Sequence, residues 1–123
     1  MITRREGLIL YWCEGDKFKN GRYKVAVTAA DFKLLKLFIE WLKRYYKVHR
    51  QDMRLRLHIW EDSNEESCKK YWSNKLKVPF KNFTKSDIRR TGKNKKYIHG
   101  ICRVSLDSKE ILNKILYDIG AHF

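Results

Sequence analysis

Two carboxylates near the start of the chain follow directly on an apolar segment. The stretch GLILYWCEGD begins at Gly7, carries no charge through Cys13, and then presents Glu14 and Asp16. A carboxylate at the end of a packed helix is held rigidly, and its hard oxygen atoms suit Mg²⁺, which shares its other positions with water and phosphate. Taken alone, the same residues also fit a solvated helix terminus that leads into a turn.

Basic residues outnumber acidic residues along much of the chain. The 123 residues include 28 Lys and Arg against 14 Asp and Glu, which gives a formal net charge of +14 at pH 7. From Ser67 to Leu106, Asp87 is the single acid among twelve bases. A positive field of this strength attracts polyanions over several ångströms at physiological salt, so we expect nucleic acid as the partner.

A short helix must position the two carboxylates. Thr3, followed three residues later by Glu6, has the form of a capping box and predicts a helix from about Arg4 to Glu14. Because this helix is apolar on nearly all sides, we expect it to be covered by the chain's own sheet and by a partner molecule.

Two predicted strands carry basic side chains on one face. After Asn20-Gly21, the stretch RYKVAVT alternates apolar with basic or small residues, which predicts a hairpin with one apolar and one basic face. The stretch MRLRLHIW alternates most regularly, and its predicted outward residues are Arg54, Arg56, His58 and Trp60. If these strands are neighbours, their basic residues share one surface that can enter a DNA major groove. A merely solvated sheet face is the alternative interpretation.

Three further helices follow from apolar spacing and caps. Residues 31–46 predict an amphipathic helix that packs on the core. A capping-box pattern that begins at Ser63 predicts a helix through about Leu76. A similar pattern at Asp107 begins a last helix, which Gly120 is expected to end.

Two more strands, expected at about 83–89 and 97–105 and joined by the turn TGKNKK, complete the set of elements. No linker, repeat or low-complexity stretch interrupts residues 1–123. The order of elements predicts one α+β domain with a mostly antiparallel sheet and its helices on one face.

Several other classes of protein do not fit the sequence. The three cysteines are odd in number and far apart, and with the four histidines they make no zinc-ligand spacing, so neither a disulfide framework nor a structural zinc is expected. No apolar run approaches the roughly 20 residues of a membrane span, and no signal-peptide pattern opens the chain. We therefore expect a cytoplasmic protein with no membrane partner and no small-molecule substrate.

With a hairpin after it, GLILYWCEGDK resembles the helix motif of the LAGLIDADG homing endonucleases, in the single-motif form that must dimerise. Gly7 to Gly15 take the nine positions of that motif, so Glu14 falls on its metal-binding acid. The chain departs from the motif at Ile9, in place of a small glycine, and at Trp12, in place of the first acid. The resemblance implies a LAGLIDADG-like fold, in which the motif helices of two subunits pack together and bring their terminal carboxylates to the scissile phosphates of DNA.

Charge, elements and resemblance together predict a homodimer that binds double-stranded DNA and cleaves it with Mg²⁺. Glu14 is the expected catalytic metal ligand, and Asp16 is a second one. The motif helix is expected to form the dimer interface through Gly7, Leu8, Ile9, Trp12 and Cys13. The expected DNA-binding residues are Arg22, Lys24, Arg54, Arg56, His58, Lys85, Arg89, Lys93, Lys95, Lys96 and Arg103. The alternatives are a DNA-binding regulator with the same fold but no cleavage, and a ribosomal-type RNA-binding module, which the charge alone supports.

Overall fold

The computed structural model describes residues 1–16, 23–90 and 98–123. Its helices are α1 (Arg4–Glu14), α2 (Phe32–Tyr46), α3 (Glu65–Leu76) and α4 (Lys109–His122). Its strands are β1 (Lys24–Ala29), β2 (Arg54–Trp60), β3 (Asp87–Arg89) and β4 (Ile101–Asp107). Short 3₁₀ turns at Arg50–Asp52 and Phe80–Asn82 precede β2 and β3. The described chain therefore belongs to the α+β class that the sequence predicts.

The strands form one mixed sheet in the order β1-β4-β2-β3. β4 pairs antiparallel with β1 and with β2, whereas β3 pairs parallel with β2. The sheet is thus mostly antiparallel, as predicted, but the two strands that flank the TGKNKK segment do not pair with each other. β4 instead lies between β1 and β2, and its inward residues Cys102, Val104 and Leu106 are buried in the core.

Of the predicted hairpin, the structure describes β1 and the residues up to Asp16 but not the turn between them. Gly15 forms an isolated antiparallel bridge with Val27, and the Asp16 N–H donates to the Ala26 carbonyl at 2.8 Å. The chain that leaves α1 therefore lies directly against β1. The predicted turn at Asn20-Gly21 and the TGKNKK turn lie outside the described residues.

Helix α1 begins with the capping box that the sequence predicts. The Glu6 N–H donates to Thr3 Oγ1 at 3.1 Å, and the Thr3 N–H donates to Glu6 Oε1 at 2.9 Å. The backbone hydrogen bond from Thr3 lowers the pKa of the Glu6 carboxyl, since the bond favours the ionised form. Two donors that a helix start leaves unpaired are satisfied here, and the predicted bounds Arg4–Glu14 are confirmed.

The cap of α3 lies one residue after the predicted position. Asn64, rather than Ser63, caps the helix, because its side chain accepts the Ser67 N–H at 2.9 Å. The Ser63 hydroxyl oxygen instead accepts the Trp60 N–H at 3.2 Å and closes the turn after β2. Either residue type caps a helix well, so the sequence pattern alone could not separate the two.

Helix α4 also differs from its prediction at both ends. Ser108, rather than Asp107, is the cap, because Asp107 belongs to β4 and its carboxylate lies 3.9 Å from Lys24 Nζ. Gly120 does not end the helix, which continues to His122. A glycine stops a helix by taking a positive φ, and Gly100 is the only described glycine that does so.

The hydrophobic core lies between the helices and one face of the sheet. The strands contribute inward residues such as Val25, Val27, Leu55, Leu57, Ile59 and Val104, and the helices contribute Leu8, Tyr11, Leu35, Phe38, Trp41, Trp72, Leu112 and Ile115. All of these side chains belong to one buried cluster. The helices therefore cover one face of the sheet, as predicted, and none of the described helices covers the opposite face.

Candidate nucleic-acid interface

The uncovered face of the sheet carries several of the predicted DNA-binding residues. Arg56 of β2 is paired in register with Arg103 of β4, which is paired on its other side with Thr28 of β1. β1 and β2 are thus not neighbours, yet β4 joins their outward residues into one surface. Apart from Ala26, these residues are exposed or half-buried. We call this surface the open face; its strand residues are Lys24, Ala26, Thr28, Arg54, Arg56, His58, Trp60, Asp87, Arg89, Ile101, Arg103, Ser105 and Asp107.

Arg54 and Arg56 are the exposed cations of β2. The Arg54 guanidinium donates to the backbone carbonyls of Gln51 and Met53 at 3.2 and 3.1 Å. Neither arginine forms an ion pair within the described part of the chain. Both positive charges are therefore available to an anion, and the outward orientation predicted from alternation is confirmed.

His58 and Arg89 share one acid at the β3 edge of the open face. His58 Nδ1 lies 3.0 Å from Asp87 Oδ2, and Arg89 Nε lies 3.2 Å from the same oxygen. The hydrogen bond from His58, and then that from Arg89, lowers the pKa of the Asp87 carboxyl. Asp87 thus stays ionised at neutral pH and partly offsets the positive charge of this edge.

Arg103 and Asp16 form the shortest ion pair among the described residues. Arg103 Nη2 lies 2.7 Å from Asp16 Oδ2, within the range of charge-assisted hydrogen bonds. Since Asp16 follows α1 by two residues and Arg103 lies on the central strand β4, this contact ties the end of α1 to the middle of the open face.

The end of α1 is fixed by close packing. The Gly15 N–H donates to the Tyr11 carbonyl at 2.7 Å, and a Cβ at Gly15 would overlap the Tyr11 ring. The Tyr11 hydroxyl donates to the Asp16 carbonyl, and burial raises the pKa of Tyr11 to about 12. Only glycine therefore fits between the two acids, and the backbone that carries them is held by a buried tyrosine.

Of the two predicted metal ligands, Glu14 has the more accessible carboxylate. Its side chain is exposed, and no hydrogen bond or ion pair to it is found within the described residues. Asp16, in contrast, is occupied by Arg103. Among the described residues, no group of three or more His, Cys, Asp or Glu side chains could hold an ion. One carboxylate still fits Mg²⁺ when phosphate oxygens and waters complete its coordination.

The predicted interface residues of α1 divide between its two sides. Gly7 and Leu8 lie in the chain's own core, where a Cβ at Gly7 would overlap the Trp41 indole. They cannot meet a second subunit, so this part of the prediction is corrected. Ile9 and Trp12 are 44% and 49% exposed, and Cys13 is exposed beside them.

The remaining predicted residues are only partly described. Lys85 is exposed just before β3. Arg22, Lys93, Lys95 and Lys96 lie outside the described residues.

Two uncharged polar residues of the open face, Thr28 and Ser105, were not predicted as binding residues from the sequence. Thr28 and Ser105 flank Arg103 on β1 and β4. Thr28 continues the alternation of Lys24 and Ala26, so its orientation could have been found from the sequence. Ser105 could not, because the inward face of β4 was unclear before the pairing was known.

No helix in the described part of the chain is long and apolar enough to cross a membrane. Comparisons of the chain with protein-family models, with curated proteins and with solved structures found no significant match. The arrangement of the open face and the end of α1 therefore provides the grounds for a functional proposal.

Proposed function

We propose that the protein binds double-stranded DNA through the open face and cleaves it as a homodimeric, metal-dependent endonuclease of the LAGLIDADG-like class. The observation that carries the proposal is the junction between α1 and the open face. Asp16 contacts Arg103 on this face, and the exposed carboxylate of Glu14 lies at the same end of the helix. A fixed acid beside a basic surface suits the hydrolysis of a bound phosphodiester.

The side chains of the open face favour duplex DNA over RNA. Arg54, Arg56 and Arg103 lie on two adjacent strands, and a β surface of this kind fits the major groove. RNA-binding sheets usually stack unpaired bases on exposed aromatic rings. On the described open face the aromatic side chain is that of Trp60, which is half-buried with its Nε1 atom inside.

In the proposed reaction, Glu14 is the residue that would hold Mg²⁺ at the bound phosphodiester. When bound, the ion supplies a polarised water and stabilises charge on the phosphate. Tyr11 and Gly15 keep the backbone of Glu14 in place, since both pack tightly at the helix end. A second copy of α1, in contact through Ile9, Trp12 and Cys13, brings the other Glu14 to the opposite DNA strand.

A second candidate keeps the fold and the DNA but not the cleavage. Only Glu14, of the two predicted ligands, is free of a partner within the described chain, and Ile9 is a large residue on the exposed side of α1. Close helix packing prefers small residues, so Ile9 would hold two α1 helices further apart. The two Glu14 carboxylates would then also be further apart, which would favour a DNA-binding regulator that does not cleave.

Selection from a random duplex library tests both candidates. The wild-type protein is incubated with the library in Ca²⁺ or in Mg²⁺, and the bound and cut ends are sequenced, with unlabelled single-stranded RNA as a competitor. The proposal predicts an enriched site with two-fold symmetry, because a homodimer presents the same surface twice, and cuts that require Mg²⁺. Enrichment without cuts supports the regulator. Failure to retain any duplex in the presence of RNA overturns DNA binding.

A further inference from the structure

The ion pair of Asp16 with Arg103 is partly shielded yet reachable from the open face. The Arg103 side chain is 26% exposed and that of Asp16 is 43% exposed. A guanidinium carries five N–H donors, so one held by a carboxylate still offers others to a ligand. Within the described residues, Arg103 has no ion pair other than that with Asp16, so it combines a held guanidinium with further donors.

Asp16 is a rigid support for this arginine. Its N–H donates to the Ala26 carbonyl at 2.8 Å, and its carbonyl accepts the Tyr11 hydroxyl. The backbone of Asp16 is thus tied both to β1 and to α1. Because this backbone is held at two points, the Asp16 carboxylate can fix the orientation of the Arg103 side chain with which it forms an ion pair.

The neighbours of Arg103 show why its charge is offset. Arg56 is paired with it in register on β2, and Thr28 is its partner on β1. Two cations directly opposite on antiparallel strands repel each other, and Asp16 relieves that repulsion. An arginine neutralised in this way loses most of its long-range attraction for phosphate, but it keeps the directional donors that base recognition uses.

We infer that Asp16 is a positioning residue rather than a metal ligand, and that it holds Arg103 to read a guanine in the major groove. The inference rests on the proposed DNA binding. Guanine presents O6 and N7 side by side as two acceptors, which match a guanidinium but not the single ammonium of lysine. In a homodimer, each half of the DNA site contains one such guanine.

Two variants test the pair by selection in Ca²⁺, where bound sequences are recovered uncut. Asp16→Asn keeps the side-chain volume but removes the charge, and Arg103→Lys keeps the charge but removes the planar group. Both should lower the preference for guanine at one position of each half-site by roughly 5- to 100-fold and leave the other positions unchanged. Asp16→Asn should bind mixed-sequence duplex at least as tightly as wild type, since it removes an acid from the open face.

Glu110→Gln is the matched control. It also removes one acid from an ion pair, with Lys114 at 3.1 Å, but on the exposed surface of α4. It should change neither base preference nor affinity. Melting curves show whether each variant is folded. If Arg103→Lys does not fold, the guanine preference of Asp16→Asn alone tests the inference.

The outcomes separate the inference from the function on which it rests. A wild-type protein that enriches no sequence overturns the proposed function. An enriched site whose guanine preference survives Asp16→Asn overturns the inference alone. Loss of Mg²⁺-dependent cleavage in Asp16→Asn, with base preference intact, would instead restore Asp16 as a metal ligand.

Discussion

Single residues at the end of α1 differ in what they can bind, although one glycine separates them. Asp16 has a guanidinium at 2.7 Å, whereas Glu14 is exposed and has no such contact in the described part of the chain. A carboxylate without an arginine partner can give its oxygens to a divalent cation. The two acids are therefore not interchangeable.

Replacement of Glu14 by Gln should remove cleavage but not binding. The change deletes one charged ligand and keeps the packing volume, so the cleavage rate in Mg²⁺ should fall by about 100-fold or more, the scale of one electrostatic group in an active site. Affinity for the selected duplex in Ca²⁺ should stay the same or increase. Gel assays of both quantities, with Glu110→Gln as the control, check the prediction. Normal cleavage by Glu14→Gln would show that the metal is held elsewhere.

Orientation of single residues could be predicted from the sequence where alternation is regular, but ion pairs could not. The alternation in β2 was sufficient to predict that Arg54 and Arg56 point outward, because one face of that strand is wholly apolar. The contacts of Asp16 with Arg103 and of His58 with Asp87 depend on which strands are neighbours. No local pattern contains that information, since both contacts join residues far apart in the chain.

The apolar pattern of α1 predicts the bounds of the helix but not which of its sides is buried. Its capping box fixes where the helix begins, and both ends were predicted. Which side faces inward was not predictable, because Leu8 and Ile9 are equally apolar, as are Tyr11 and Trp12. Packing against α2 settles it, since Tyr11 stacks with Phe38 and Trp41 at centroid distances of 6.1 and 6.2 Å.

Two glycines in helices should respond oppositely to alanine. A Cβ at Gly7 would overlap the Trp41 indole, so Gly7→Ala should lower the free energy of unfolding by about 1–3 kcal/mol. At Gly120 the added Cβ would meet nothing within 4 Å beyond its own helix backbone and chain neighbours, and alanine should raise the free energy of unfolding by about 0.5–1 kcal/mol. Denaturant titrations measure both changes. A Gly7→Ala protein as stable as wild type would contradict the packing of α1 on α2.

For the whole molecule, the exposed side of α1 is the expected contact between subunits. Ile9 and Trp12 lie there, and the Phe123 ring lies 5.3 Å from that of Trp12. The Arg5 guanidinium lies over the same Phe123 ring at 4.6 Å. A second α1 that covered this side would bury aromatic and aliphatic surface together, which stabilises association.

Trp12→Glu should therefore convert the proposed dimer into a monomer. In a symmetric dimer the new glutamate carboxylate would be buried twice, once from each subunit, and each buried charge without a partner would destabilise the dimer. Light scattering at micromolar concentration should give a dimer for the wild type and a monomer for the variant. Leu37→Glu, at an exposed apolar position of α2, is the control and should remain dimeric. A wild-type monomer without DNA would rule out the symmetric arrangement.

Exposed positive charge lies on two sides of the molecule. Arg54 and Arg56 lie on the open face, whereas Lys36 and Lys43 are exposed on α2, which packs on the opposite side of the sheet. Long-range attraction alone would make the two pairs equivalent, because each contributes the same formal charge. If the DNA contacts the open face directly, the two pairs should differ in their effect on DNA affinity.

The role of the open face is tested by the affinity of duplex DNA for two double variants, Arg54→Ala/Arg56→Ala and Lys36→Ala/Lys43→Ala, measured over a range of salt concentrations. We predict that the arginine pair loses about 1–3 kcal/mol of binding free energy for each side chain that reads a base. Its salt slope should fall by about one unit for each side chain that contacts a phosphate. The lysine pair should bind nearly as the wild type does. Equal losses in the two variants, or a larger loss in the lysine pair, would contradict the open face as the DNA-binding surface.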